Sequence, residues 1–153
     1  LATELLLPAE VKRSMRIYSG IHCFFVFLLQ LAKAMAKTVS YDEVVKMLKT
    51  NSGLLLDVRT QDEVKTDGPY PKYLLVPHNE IAEAMQLTDA EFKSRYHGDK
   101  PNPDDPIVTA CKSGRRAGLA AEALTKLNFT NVSVYSGSFN EWKAMQSDPS
   151  KAY

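Results

Sequence analysis

Cys111 is followed by Lys112, Ser113, Gly114, Arg115 and Arg116. A thiol beside cations titrates low and is held as the thiolate, the form that acts as a nucleophile. The segment before it, Ile107-Val108-Thr109-Ala110, is a short apolar run that reads as a buried strand. The segment after it, Arg115 to Leu127, carries Ala117, Ala120, Ala121 and Leu124 at helical spacing. Residues 111–116 are therefore expected to form a strand-to-helix loop at the C-terminal edge of a sheet, where open α/β folds bind ligands. Inward-turned N–H groups and the positive end of a helix would make such a loop an anion cradle. Gly114 would permit the tight backbone path. A cysteine at a strand end is ordinarily a small buried hydrophobe. The strand before, helix after, glycine within and cations around Cys111 together argue for chemistry.

The elements that must position this loop follow an α/β alternation. Thr38 to Tyr41 is β-prone. Ser40 and Glu43 form a capping-box pair ahead of a helix from Tyr41 to Lys49. Leu54 to Val58 reads as a strand buried on both faces. Thr60 caps a short helix holding Glu63 and Val64. Gly68-Pro69-Tyr70-Pro71 is a turn-rich connection. Tyr73 to Val76 is the next strand. Helices are expected over Glu80 to Met85 and Asp89 to Tyr96, the second capped by Thr88 with Glu91. Residues 100–106 hold three prolines and read as a surface loop. Val132 to Tyr135 is a last strand, and Gly137 turns the chain into a closing helix through Trp142 and Met145. Strands separated by helices imply βαβ units and a mainly parallel sheet.

The chain has 153 residues, a size for one domain, with 44% hydrophobic and 24% charged residues. Its formal net charge is +1, so neither nucleic acid nor a membrane surface is an indicated partner. Cys23 and Cys111 are too few for a disulfide framework. A free thiol among cations suits a reducing compartment. None of His22, His78 and His97 has metal-ligand spacing, so no metal site is expected. Residues 1–36 differ from the rest. Lys12, Arg13 and Arg16 precede an uncharged stretch from Ile17 to Ala32, too short and interrupted for a membrane span. This segment reads as an extension, a mitochondrial presequence or a signal-like segment. The expected division is 1–36 extension, 37–147 domain and 148–153 tail.

Three motifs carry a resemblance. Leu56-Asp57-Val58-Arg59 with Glu63 resembles an Asp-Val-Arg signature. Cys111 to Arg116 resembles a Cys-x-Ser-Gly-x-Arg active-site loop. Gly137-Ser138-Phe139-Asn140-Glu141-Trp142 resembles a closing Gly-x-x-x-x-Trp segment. From about Thr38 to Met145 the chain is similar to the rhodanese-like domains, above all the small single-domain thiosulfate sulfurtransferases. The resemblance implies a three-layer α/β sandwich, with a mainly parallel central sheet of about five strands flanked by helices. It implies that Cys111 takes sulfur from thiosulfate as a persulfide and yields it to glutathione or cyanide, with no cofactor. It implies an anion-binding loop of Lys112, Ser113, Gly114, Arg115 and Arg116. Arg59 is expected either at the mouth of the site, binding substrate, or paired with a carboxylate. A cytoplasmic location is expected, or a mitochondrial one if residues 1–36 act as a presequence.

The chain departs from the family in one place: Lys72 stands where glycine is usual and Leu75 where asparagine is usual. Two rival functions remain. A cysteine-dependent phosphatase or arsenate reductase on this fold needs five residues between cysteine and arginine, whereas four separate Cys111 from Arg116. A non-catalytic binding module on this fold commonly lacks the cysteine.

Overall fold

The computed structural model describes residues 36–153. The expected extension, with Cys23 and its targeting readings, lies outside the described residues. Among the described residues, five strands and six helices follow in order: β1 (Lys37–Val39), α1 (Tyr41–Thr50), β2 (Leu54–Asp57), α2 (Gln61–Asp67), β3 (Leu74–Leu75), α3 (Ile81–Ala84), α4 (Asp89–Tyr96), β4 (Ile107–Ala110), α5 (Arg115–Lys126), β5 (Val132–Tyr135) and α6 (Ser138–Gln146). The strands pair in parallel in the order β1-β5-β4-β2-β3. This is the parallel α/β sheet that the alternation implied, in the architecture the resemblance implied.

The period-2 alternation of the central strands sorts the core into two halves. Leu56, Val58, Ile107 and Cys111 face a cluster completed by Ala117, Ala120 and Leu124 of α5, with Ile81 and Phe92 from α3 and α4. Leu55, Val108 and Ala110 face the other cluster, built with Val44 and Leu48 of α1 and Phe139 and Trp142 of α6. The sheet is thus covered on both sides, which is why β2 and β4 read as unbroken apolar runs. Trp142 is core, in tilted contact with Tyr41 and edge-on contact with Tyr70.

Local signals positioned the helices well. Ser40/Glu43, Thr60/Glu63 and Thr88/Glu91 all form complete capping boxes. Edges differ from expectation. β1 ends at Val39, short of the β-prone stretch to Tyr41, while Tyr41 opens α1 as its capping box implied. The β3 pairing contracts to Leu74–Leu75, because it is an edge strand with a partner on one side only. The unusual Lys72 sits in the turn before it and donates to Asn51 Oδ1 at 2.9 Å and to Leu48 O at 3.4 Å. An ammonium at the C-terminal end of α1 is where the helix dipole favours one. Leu75 pairs with Asp57 across β2 and β3, so both departures from the family pattern fit the sheet.

Candidate active site

β4 ends at Ala110, whose carbonyl accepts from Val58 N–H at 2.8 Å. Cys111 follows directly, at the C-terminal edge and on the α5 side of the sheet. Its thiol is buried. The Gly114 N–H donates to Cys111 Sγ at 3.0 Å. Burial raises the thiol pKa, but the N–H groups of Ala117 and Ser113, the Ser138 hydroxyl and the Gly114 N–H outweigh it, and the thiol titrates below its ordinary value. The lowering comes chiefly from backbone N–H groups at the start of α5, as the strand–loop–helix reading implied.

The backbone must be bent to do this. Gly114 has φ +92°, and a Cβ there would run into the carbonyl oxygen of Ser136. Thr109 fixes the first turn of α5 from below, its hydroxyl donating to Ala117 O at 3.0 Å. From the other side, α6 holds the loop by its first amides: Phe139 N–H donates to Cys111 O and Asn140 N–H to Lys112 O, both at 3.0 Å. These are N–H groups that a helix leaves without internal partners.

Ser138 is a residue that sequence reasoning missed. It is fully buried and has φ +48°, a left-handed conformation uncommon outside glycine. The turn expected at Gly137 is therefore made by Ser138, while Gly137 itself is right-handed. Its hydroxyl accepts from Cys111 N–H at 3.1 Å and has one proton to donate, either to Tyr135 O at 2.8 Å or to Cys111 Sγ at 3.8 Å. The signal available was its place in the Gly-x-x-x-x-Trp motif; nothing local marked its hydroxyl.

The three loop cations are used differently. Arg116 forms a two-pronged pair with Glu63, both contacts at 2.6 Å. Glu63 thereby titrates near pH 2, well below 4.5, chiefly through the Arg116 bonds. Lys112 Nζ lies 3.0 Å from Asp67 Oδ2. Arg115 is exposed and has no ion pair among the described residues. Ser113 is exposed too, and it bears on the thiolate through its backbone rather than its hydroxyl. Glu63 and Asp67 both reach the loop, each paired with a cation. They come from α2, 53 and 45 positions upstream of their partners, so no local pattern announced them.

Arg59 is drawn to a carboxylate rather than an open mouth. It is fully buried, 2.6 Å from Asp57 Oδ2. It donates to Gly68 O at 3.1 Å and lies 4.0 Å from the Phe139 ring centroid. A guanidinium on an aromatic face keeps its charge without water. Asp57 and Arg59 share the Leu55 side of the chain, whereas Val58 and Cys111 pack on the other.

The Glu63–Arg116 pair gives a pH prediction. A depressed carboxylate pKa contributes stability that is complete above about pH 4.5 and lost as pH falls toward 2. With both side chains about a quarter exposed, the contribution is of order 2 kcal/mol. Arg116→Ala is expected to weaken sulfur transfer and to flatten the loss of stability between pH 5 and pH 3, measured by urea unfolding at each pH. An unchanged pH profile would show that the pair does not couple α2 to the loop.

The model of the Rhodanese-like domain matches residues 40–145. A provisionally assigned mitochondrial thiosulfate sulfurtransferase of Schizosaccharomyces pombe is 40% identical over 106 residues, covering 67% of this chain and 74% of that protein. Human thiosulfate:glutathione sulfurtransferase is 32% identical over 113 residues, covering 73% and 97%. The structure of a human single-domain sulfurtransferase superposes with a TM-score of 0.68 at 32% identity, covering 72% of this chain and 97% of that one.

Proposed function

The chain belongs to the rhodanese-like domain family, and on that premise we propose that it is a thiosulfate sulfurtransferase that carries sulfur on Cys111. The observation that carries this reading is a buried thiol on which backbone N–H groups converge, lowering its pKa despite its burial. In the first step the Cys111 thiolate attacks the outer sulfur of thiosulfate. The sulfur–sulfur bond of thiosulfate breaks, sulfite leaves with its electron pair, and Cys111 holds a persulfide anion. In the second step a thiolate acceptor, glutathione by analogy with the relatives' names, attacks the outer sulfur. A glutathione persulfide leaves and the Cys111 thiolate returns. The charge at Cys111 is negative before and after each step, so donors fixed around Sγ stabilise both forms without rearranging.

The same geometry disfavours phosphoryl chemistry. A phosphatase loop needs its arginine turned into the cradle to hold a tetrahedral oxyanion, whereas both terminal nitrogens of Arg116 are taken by Glu63. The test is mass spectrometry after thiosulfate treatment, alongside turnover with thiosulfate plus glutathione and with a phosphate ester. One added sulfur on the Cys111 peptide and sulfite release are expected. Phosphate release without sulfur transfer would replace this reading with a phosphatase, and a folded protein with no adduct would make it a binding module. We propose a cytoplasmic location, or a mitochondrial one if residues 1–36 act as a presequence, as the name of the fission-yeast relative suggests. Tagging the full chain and a version starting at Met35 distinguishes them.

A further inference from the structure

Three cations flank Cys111, and the structure divides them. Lys112 is matched by Asp67 and Arg116 by Glu63. Arg115 alone is exposed and unmatched among the described residues. It is the first residue of α5, directly after the Gly114 whose N–H reaches Sγ. One turn further along the same helix face stands Leu119, at 47% the most exposed large hydrophobic side chain among the described residues. A cation and an apolar side chain thus form a strip on the solvent side of the loop.

The two proposed substrates present charge differently. Thiosulfate is compact, with its negative charge within a bond or so of the attacked sulfur, in reach of the backbone donors. A thiol acceptor must bring its sulfur to a buried Sγ while the rest of the molecule stays outside. Any carboxylate it carries then lies over the rim, several bonds from the reacting atom.

We propose that Arg115 is a specificity-determining residue for the second half-reaction, pairing with a carboxylate of a peptidyl thiol acceptor such as glutathione. This rests on the reading of Cys111 as the sulfur carrier. It assigns the donor to the backbone cradle and the acceptor to the rim.

The experiment separates the half-reactions. Protein is loaded with thiosulfate, freed of excess, and mixed with glutathione or with neutral 2-mercaptoethanol, and loss of the persulfide is followed in time. Arg115→Gln is expected to slow discharge to glutathione about fivefold, the upper range for an exposed ion pair. Discharge to 2-mercaptoethanol and loading by thiosulfate stay within roughly twofold, since neither uses the rim. Arg115→Lys keeps most of the glutathione rate. Raising the salt concentration slows the original protein toward Arg115→Gln with glutathione only. Equal slowing of both thiols, slowing of the thiosulfate step, or no change in glutathione discharge would each overturn the assignment to Arg115 while leaving Cys111 as carrier. A protein that never loads sulfur would overturn both.

Discussion

Cys111→Ser is expected to lower sulfur transfer by at least about ten-thousandfold, the scale of loss when a covalent nucleophile is removed. The hydroxyl is a poor nucleophile at neutral pH, and among the described residues no base contacts Cys111 Sγ. The donors around Cys111 Sγ are N–H groups and a hydroxyl, which stabilise an existing anion but take no proton. A serine there still accepts from Gly114, so the fold is expected to lose less than about 1 kcal/mol. Sulfite release with thiosulfate and glutathione measures the first quantity, and urea unfolding the second. Normal turnover by Cys111→Ser would sink the mechanism, whereas collapse of the fold would mean that the thiol is a packing group.

Gly114→Ala should also cut transfer deeply, though less than Cys111→Ser and for a different reason. Two penalties coincide at this residue: the left-handed backbone, φ +92°, and a methyl group aimed into the Ser136 carbonyl. Backbone on both sides leaves no flexible side chain to yield, so the loop must move. Moving it carries the Gly114 N–H away from Sγ and lets the thiol pKa climb. The expected outcome is at least about a hundredfold loss of transfer with a stability cost of about 2–3 kcal/mol. The rate of alkylation by iodoacetamide against pH reads the thiol directly, and its midpoint should shift upward. An unshifted midpoint in a folded Gly114→Ala would remove Gly114 from the activation of Cys111.

What was readable in the chain follows the range of the interactions. The capping boxes at Ser40, Thr60 and Thr88 join residues three apart, and each forms as read. The buried strands were visible because a sheet covered on both faces needs continuous apolar runs. The strand–loop–helix seat of Cys111 is local as well. The roles of the cations were not readable, because their partners arrive from a different βα unit. Glu63 shows why. Its carboxylate accepts from Thr60 N–H at 3.0 Å, as a capping residue should, and Oε2 of the same group takes Arg116 Nη1 at 2.6 Å. Only the first role leaves a trace in sequence spacing. Ser138 was hidden similarly, since its contact with Cys111 spans 27 positions and its left-handed turn was assigned to the glycine beside it.

That long span has a further consequence, for the timing of synthesis. The chain emerges with Cys111 before Ser138, Phe139 and Asn140, the three residues whose groups hold the loop from the far side. Until β5 has paired and α6 has docked, the thiol lacks the Ser138 hydroxyl, and its loop lacks the two amide bonds to Cys111 O and Lys112 O. The last part of the stabilisation that lowers the Cys111 pKa therefore arrives only with the docking of the helix that closes the sheet.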